Sequence, residues 1–283
     1  MIANLGDVLK QRGSNVGIEV GTPVVPDNEL ERLRNLREYQ IEDADEEPLN
    51  NIVQMLSSAC KAPIALVSLV DLEKQWFKVR VGLGAKETPR EVSFCAHAIN
   101  TPQDIFIVED ATKDIRFKDN PLVTGHPDIR SYAGVPLVST EGHAFGTLCA
   151  IDTKPRKFTE TEKQIMTLLG KQVMTELTLR HYVNILQNSV QTANDLLCNI
   201  LPKQVVPRLK AGEIIADDIE LASILFADLK GFTEFSAEHS AKEVVCHLGK
   251  LFQEIDELSL TCSVVKIKTI GDCYMAAAGS TKF

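Results

Sequence analysis

A stretch without proline runs from Phe158 to Pro202, and it constrains the architecture more than any other feature of the chain. Proline inside a helix removes a hydrogen bond and clashes with the preceding turn, so its absence permits one long helix. Thr159, followed by Glu162, has the pattern of an N-terminal capping box. We therefore predict one long helix over residues 159–201. Because single cores usually stop growing near about 100–200 residues, a chain of 283 residues has room for about two domains.

The second half of this predicted helix carries apolar residues at the alternating spacing of a coiled-coil seam. They are Leu186, Val190, Ala193, Leu197 and Ile200. Gly170 weakens the pattern. The seam predicts a parallel homodimer, and a single amphipathic helix packed on its own domain remains the alternative.

Bulk properties exclude several classes of protein. A net charge of −9 argues against a general nucleic-acid binder, since no basic surface is on offer. The longest apolar run, residues 62–70, is too short to cross a membrane, and the N-terminus lacks the apolar core of a signal peptide. The chain has 7 cysteines without the Cys-x-x-Cys spacing of structural zinc sites. We expect reduced thiols, a cytoplasmic location and no membrane or nucleic-acid partner.

Residues 1–28 are rich in Gly, Pro and Asn and predict a flexible arm. A helical pattern begins at Glu29, and later segments alternate strands with short helices. One hairpin is predicted from residues 63–70 and 75–81. A second is predicted from SYAGVPLVS and AFGTLCAID, around a turn in which Gly142 supplies a positive φ. A helix at 92–99 and a strand at 105–108 lie between them. The pattern indicates an α+β fold, an antiparallel sheet flanked by helices.

Four motifs of this region resemble those of bacterial GAF domains. They are QWFKVRVGL, ETPREVSFCAHAI, VEDATKDIRFKDNPLVTG and IRSYAGVPLVSTEGHAFGTLCAID. The resemblance extends from Glu29 to about Glu176, and we assign the sensor domain to residues 29–158. It implies a six-stranded antiparallel sheet and a module for small-molecule sensing or dimerisation.

The effector of such a domain is not identified by the sequence. The candidate pocket residues are Trp76, Cys95, His97, Arg130 and Tyr132. Each is also compatible with a packing role. Cys95 and Cys149 are candidate redox sensors, unless burial makes the thiols inert.

A different kind of site is predicted near the end of the chain. The apolar run 221–227 reads as a central strand that delivers Asp228 to its end. Gly231 then permits close approach of a ligand, and Thr233 is expected to cap a helix. That helix presents one apolar face, formed by Val244, Leu248, Leu251, Phe252 and Ile255. Carboxylates for a metal and free N–H groups for phosphate oxygens fit a Mg²⁺–triphosphate site.

The segment KIKTIGDCYM supplies the second half of this site. With a period of two, Lys266 and Lys268 are expected to share one face of their strand, and the following turn presents Asp272. Two aspartates from two strand ends can hold two Mg²⁺ ions, of which one activates a hydroxyl and the other neutralises leaving pyrophosphate.

FADLKGFT and KIKTIGDCYM, preceded by LLCNILPKQVVPRLKAGE, resemble class III adenylyl and guanylyl cyclases. The resemblance implies a transducer segment at residues 202–218 and a partial ferredoxin-like catalytic domain at 219–283. Asp228 and Asp272 match the family's metal-binding catalytic aspartates, with the Leu229 carbonyl as a further ligand. The ions would be two Mg²⁺ or Mn²⁺.

The same resemblance implies the residues that bind the nucleotide. Gly231, Phe232 and Thr233 lie in the loop that wraps the triphosphate. Lys268 occupies the position that reads the purine, and a lysine there implies ATP. Lys266 is expected to be structural or solvated.

The family's second purine-reading residue, its asparagine and its arginine have no counterpart here. We therefore expect a sensor-regulated cyclase that converts ATP to cyclic AMP and pyrophosphate, of which this chain is an inactive N-terminal part with exposed apolar faces. The alternatives are a dimeric ligand or redox sensor with a non-catalytic cyclase segment, and a guanylyl cyclase. A diguanylate cyclase is disfavoured because its Gly-Gly-(Asp/Glu)-Glu-Phe loop is absent.

Overall fold

A computed structural model describes residues 21–43, 46–201, 205–216 and 221–279. The chain divides into two compact units, residues 1–184 and 185–283. Most of the predicted flexible arm lies outside the described residues, as do parts of the predicted transducer segment. In the described part, no helix is both long and apolar enough to cross a membrane.

The first unit contains a sheet with helices on both sides. Its helices are α1 (Glu29–Glu38), α2 (Glu47–Cys60), α3 (Phe94–Ala98), α4 (Pro121–Thr124) and the first part of α5 (Glu160–Ile200). Its strands are β1 (Ile64–Val70), β2 (Lys74–Val81), β3 (Glu87–Pro89), β4 (Phe106–Val108), β5 (Ser131–Val138) and β6 (Ala144–Asp152).

The six strands form one antiparallel sheet in the order β3-β2-β1-β6-β5-β4. Both predicted hairpins are present, as β1–β2 and β5–β6. Gly142 lies between β5 and β6 with a φ of 89°, as the turn requires. The α+β fold with an antiparallel sheet is therefore confirmed.

Both faces of this sheet are buried, which explains why β1 is apolar along its whole length. Helices α1, α2 and α5 cover one face, where Leu56, Leu148 and Met166 belong to one apolar cluster. Helix α3 and the neighbouring loops cover the other face, with Phe94 and Phe117 stacked at 3.9 Å between ring centroids. A strand buried on both faces reads as a continuous apolar run.

A buried ion cluster attaches α1 to the sheet. The Glu29 carboxylate accepts hydrogen bonds from Arg32, at 2.7 and 2.8 Å, and from Arg90. Arg32 also donates to the Val70 carbonyl at 2.8 Å, and Arg90 donates to the Asp71 carbonyl at 2.9 Å. Burial by itself would raise the pKa of Glu29, but the two guanidinium groups lower the pKa below its ordinary value.

Helix α5 begins with the predicted capping box. Thr159 Oγ1 accepts from the Glu162 N–H at 3.3 Å, and the Glu162 carboxylate accepts from the Thr159 N–H at 2.7 Å. Along the predicted seam, Leu186 and Val190 are exposed, at 64% and 56%. The side chain of Ile200 lies outside the described residues. A parallel coiled coil remains a prediction.

The second unit contains a smaller sheet. Its elements after α5 are α6 (Val205–Lys210), β7 (Ala222–Ala227), α7 (Phe232–Glu238), α8 (Ala241–Thr261), β8 (Val265–Ile270) and β9 (Cys273–Gly279). The three strands are antiparallel in the order β7-β9-β8. The prediction of a central strand at 221–227 is therefore wrong for this sheet, since β9 takes the middle position and β7 lies at an edge.

The helices of the second unit also differ from the prediction. Thr233 does not cap a helix; Gly231, with a φ of 80°, is the N-cap of α7, and Thr233 lies inside its first turn. The predicted apolar face belongs to a separate helix, α8, which begins at its own capping box between Ser240 and Glu243. A glycine fits the first cap because the left-handed backbone carries no Cβ penalty there.

The second unit leaves much apolar surface exposed, as the sequence predicted. On β7 the exposed fractions are 62% for Ile224, 51% for Leu225 and 59% for Phe226. No described residue of α8 is fully buried. On β9, by contrast, Tyr274 and Ala276 are buried.

Candidate functional site

Strand register brings the two candidate aspartates to one edge of the small sheet. Ala227, the last residue of β7, pairs with Tyr274 near the start of β9. Ile270 pairs with Cys273 across the β8–β9 turn. Asp228 therefore follows β7 at the same end of the sheet at which the turn presents Asp272.

The backbone on both sides of this edge leaves room for a ligand. Gly231 and Gly271 have φ angles of 80° and 63°, and a Cβ added to either would meet no atom within 4 Å. Asp228 is exposed and Asp272 is half-buried. Phe232 is half-buried at the start of α7. Backbone of this kind can approach phosphate oxygens closely.

The oxygen donors at this edge suit a hard divalent cation. Among described residues, no group of three or more His, Cys, Asp or Glu side chains is arranged to hold a metal. Two carboxylates are nevertheless a common protein share of a Mg²⁺ site, because substrate phosphates and water complete the coordination. The Leu229 carbonyl accepts a long hydrogen bond, 3.4 Å, from the Phe232 N–H. The donor set therefore fits Mg²⁺ or Mn²⁺.

The two lysines of β8 lie on opposite faces, so the expectation that they share one is wrong. Lys266 pairs with Ala276 and Lys268 pairs with Met275, with an irregularity in the register between them. Ala276 and Met275 are neighbours on β9 and point to opposite sides. A bulge of this kind changes the sheet face to which the following side chain points. Lys268 is exposed on the face opposite to that of Lys266.

Lys266 has a structural partner that the sequence did not reveal. Lys266 Nζ donates to Asp256 Oδ2 at 2.8 Å, and the Tyr274 hydroxyl donates to Asp256 Oδ1 at 2.6 Å. Burial and the Asp256 carboxylate raise the pKa of Tyr274 to about 12. These contacts join α8 to β8 and β9. They agree with the structural role expected for Lys266.

The first unit contains a partly enclosed cavity of about 180 Å³ on the sheet face that α3 covers. Of the candidate pocket residues, it is lined by Cys95 and Tyr132. It is also lined by Gln75, Phe77 and His126.

The other three candidates lie elsewhere in the first unit. Trp76 packs against the apolar cluster on the opposite sheet face. His97 Nε2 lies 3.2 Å from the Gly21 carbonyl oxygen, and burial lowers the pKa of this histidine. Arg130 donates to the Val123 carbonyl at 2.7 Å. The structure therefore gives these side chains packing or backbone contacts rather than places in the cavity.

Sequence reasoning missed the polar side of the cavity. Gln75 Nε2 donates to Thr88 Oγ1 at 2.7 Å, and Gln75 Oε1 accepts from Ser68 at 3.1 Å and from Ser93. The alternation in QWFKVRV was a usable signal, because it places Gln75 on the same strand face as Phe77.

Two family models match the chain. Residues 46–177 match the GAF domain, and residues 214–283 match the adenylate and guanylate cyclase catalytic domain. The chain carries a GAF domain followed by a cyclase catalytic domain. The aspartate edge belongs to the cyclase domain, and the cavity belongs to the GAF domain.

Three curated relatives are similar to parts of the chain. The chain is 40% identical over 164 residues to a cyclic di-GMP phosphodiesterase from Pseudomonas aeruginosa, with 57% of this chain covered. It is 43% identical over 86 residues to an adenylate cyclase from Mycobacterium bovis, with 30% covered. It is 34% identical over 112 residues to the guanylate cyclase soluble subunit alpha-1 of Rattus norvegicus, with 39% covered. The chain spans only 28%, 19% and 16% of these relatives' lengths.

Proposed function

We propose that the cyclase domain converts ATP to cyclic AMP and pyrophosphate in the protein to which this chain belongs, under control of the GAF domain. The observation that carries this proposal is the register of the small sheet, which brings Asp228 and Asp272 to one edge beside an open glycine loop. Similarity to adenylate cyclases supports the reaction class.

Each residue of this edge has a proposed task. Asp228, Asp272 and the Leu229 carbonyl would hold two Mg²⁺ or Mn²⁺ ions. Ions bound there would lower the pKa of the attacking ribose hydroxyl and neutralise the charge of the leaving pyrophosphate. Gly231 lets the backbone approach the triphosphate, and the loop continues through Phe232 and Thr233.

Lys268 is proposed to select the base. Its exposed ammonium group donates hydrogen bonds only, so it matches the N1 acceptor of adenine and not the N1–H donor of guanine. A polar group that meets the wrong edge costs about 1–3 kcal/mol. Guanylate cyclases are also among the relatives, so GTP is the competing substrate.

The remaining proposals concern assembly and control. The seam on α5 supports a parallel homodimer, and the GAF cavity supports a small effector of unidentified chemistry. The 7 free cysteines support a reducing cytoplasm. We also propose that the 283-residue chain alone forms no cyclic AMP, because the family's asparagine and arginine have no counterpart in it.

The test is an assay of cyclic nucleotide formation from ATP with Mg²⁺ or Mn²⁺. A form of the protein extended past Phe283 should produce cyclic AMP, and Asp228→Asn and Asp272→Asn should each lower the rate at least about 100-fold. Glu254→Gln, which changes an exposed carboxylate on α8, is the matched control and should leave the rate unchanged. Absence of any cyclic nucleotide from the extended protein would overturn the proposal, and turnover by the 283-residue chain would overturn its predicted inactivity.

Base selection has a separate test in the same extended protein. Lys268→Glu should lower the preference for ATP over GTP by about 10-fold to 100-fold, as expected from about 1–3 kcal/mol. Lys266→Gln, on the opposite face of the same strand, is the control and should leave this preference unchanged. An unaltered ATP preference in Lys268→Glu would show that another residue reads the purine.

A further inference from the structure

The GAF cavity combines a mostly apolar wall with a few polar groups. Apolar side chains form most of its lining, among them Leu66 on β1, Phe77 on β2 and Ile151 on β6. Gln75 and Thr88, which are cross-strand partners on β2 and β3, contribute polar groups. Among the described residues that line the cavity, none is Lys, Arg, Asp or Glu. The lining therefore favours an uncharged ligand, because an ion there would lose its hydration without gaining a counter-charge.

Hydrogen bonds fix the orientation of the Gln75 side-chain amide, and this residue is only 4% exposed. The Ser93 hydroxyl accepts from the Ala96 N–H at 3.0 Å and donates its own proton to Gln75 Oε1. Ser68 Oγ donates to the same oxygen at 3.1 Å. The amide nitrogen therefore faces Thr88, and Gln75 Nε2 donates to Thr88 Oγ1 at 2.7 Å.

The Gln75–Thr88 pair keeps two donor hydrogens without an acceptor. An amide nitrogen carries two N–H groups, and only one of those on Gln75 has an acceptor among the described residues. The Thr88 hydroxyl accepts from Gln75, and its own proton has no acceptor in the described part of the chain. The Tyr132 hydroxyl, in contrast, already donates to Cys95 Sγ at 3.3 Å. A buried donor without a partner is costly, so a ligand that offers an acceptor to this pair gains binding energy.

The volume of the cavity limits the size of the ligand. It is about 180 Å³, slightly more than that of an apolar cavity of about 150 Å³ that holds benzene. Sites for drug-sized ligands have volumes of about 300–1,000 Å³. A cyclic nucleotide is therefore excluded by its size as well as by its phosphate charge. Ala85 and His126 line the cavity and are exposed, so the cavity opens to solvent beside them.

We propose that the GAF cavity binds a small uncharged carbonyl compound, whose apolar part has the size of an aromatic ring and whose oxygen accepts from Gln75 Nε2 and the Thr88 hydroxyl. A carbonyl oxygen has two lone pairs and brings no hydrogen of its own, so it matches two donors. This proposal rests on the proposed function, because it names the chemistry of the effector that would act on the GAF domain. Its test measures binding and not cyclic nucleotide formation, so the two proposals fail independently.

The experiment is a titration of the 283-residue chain with acetophenone, a benzene ring that carries an acetyl group, followed by ligand-observed NMR. We expect saturable binding. Benzoate has a similar shape but is anionic, and it should bind at least about tenfold more weakly. Cyclic AMP should not displace acetophenone. Absence of saturable acetophenone binding, equal affinity for benzoate, or displacement by cyclic AMP would each overturn the proposal.

The contact with the carbonyl oxygen is tested by Thr88→Val. Valine keeps the shape of threonine but removes the hydroxyl group, so acetophenone should bind about fivefold more weakly. α-Methylstyrene, in which a CH₂ group replaces the carbonyl oxygen, is the matched ligand, and its affinity should not fall in this variant. An equal loss for both ligands would contradict the proposed hydrogen bond.

Two further variants locate the binding site. Ile151→Phe adds volume at the cavity wall and should weaken acetophenone binding at least about tenfold. Phe226→Ser, on the exposed strand β7, is the control for adsorption to the apolar surface of the cyclase domain, and it should leave the affinity unchanged. Trp76 fluorescence during denaturation verifies that Ile151→Phe is folded; if it is not, Ala85→Phe at the opening replaces it. Unchanged binding in the folded cavity variant, or weaker binding in Phe226→Ser, would place the ligand elsewhere and overturn the proposal.

Discussion

The two sheets of this chain differ in how completely their apolar side chains are buried. The six-stranded GAF sheet is covered on both faces, so that every residue of β1 is buried. The three-stranded cyclase sheet has an edge strand, β7, whose three large apolar side chains are more than half exposed. Apolar surface of this extent is typical of a region that packs against more protein. The described contacts therefore bury the apolar side chains of the GAF sheet far more completely than those of the cyclase sheet.

The same contrast separates the two sites. In the GAF domain, buried hydrogen bonds fix Gln75, Tyr132 and Cys95 before any ligand arrives. In the cyclase domain, Asp228 and Gly231 lie at an open edge where a cation and a nucleotide would supply the missing contacts. The GAF pocket is formed before a ligand binds, whereas under the proposed function the open edge would be completed by a substrate.

The largest expected effect tests the contrast in the cores. Phe145→Ala should destabilise the GAF domain by about 3–5 kcal/mol, because Phe145 is fully buried on β6. Phe226→Ala on β7 should change the stability of the cyclase domain by no more than about 1 kcal/mol, because 59% of the Phe226 side chain is exposed. Chemical denaturation measures both. Trp76 is the only tryptophan, so its fluorescence reports the GAF domain.

A comparable loss for both phenylalanines would remove the distinction between a covered and an uncovered sheet. It would show that Phe226 is packed in solution, for example against a second copy. Repeating the Phe226→Ala measurement at several protein concentrations separates that outcome, since stability gained by association depends on concentration.

The second prediction compares two ion pairs. Arg32→Met leaves the buried Glu29 carboxylate with Arg90 alone, and it should destabilise the GAF domain by about 3 kcal/mol. Lys266→Met removes one partner of Asp256 in the cyclase domain, and the Tyr274 hydroxyl remains. The Lys266 and Asp256 side chains are 36% and 41% exposed, so the expected loss is below about 1 kcal/mol. Denaturation followed by circular dichroism measures the change in each variant.

The Glu29 cluster also gives a pH dependence with a definite sign. The folded-state pKa of Glu29 lies below its ordinary value, so its stabilising contribution is complete above the unfolded pKa of about 4.3. The contribution is lost as the pH falls through the folded-state pKa. Glu29→Gln should therefore flatten the acid limb of the GAF stability curve. An acid limb that is equally steep in this variant would assign the proton uptake to other carboxylates.

Much of the GAF fold was predictable, because its signals are local. The hairpin around Gly142 and the capping box at Thr159 are set by residues close in sequence, and both are present. The cavity lining was less predictable. His97 and Cys95 lie on one short helix, but only Cys95 lines the cavity.

The cyclase site shows where sequence periodicity fails. The placement of Asp228 and Asp272 at the same end of the sheet follows from two strand ends. The separation of Lys266 from Lys268 onto opposite faces does not, because one irregularity in the β8–β9 register reverses every later side chain. The position of β7 at an edge was also unpredictable, since apolar runs of this length occur in central and edge strands alike.

The smallest expected effect uses one motif that occurs in both units. Thr159→Ala and Ser240→Ala each remove the side-chain cap of a helix, which costs about 1 kcal/mol. The first turn of α5 leads into the GAF core through the buried Met166. Loss of the Thr159 cap should therefore appear as a global shift of the denaturation midpoint. Helix α8 contains no fully buried residue among those described. Loss of the Ser240 cap should appear as local fraying of α8, with hydrogen exchange about fivefold faster over residues 241–245. A global shift in Ser240→Ala would show that α8 unfolds together with its sheet, and the cyclase domain would then be a cooperative unit despite its exposed edge.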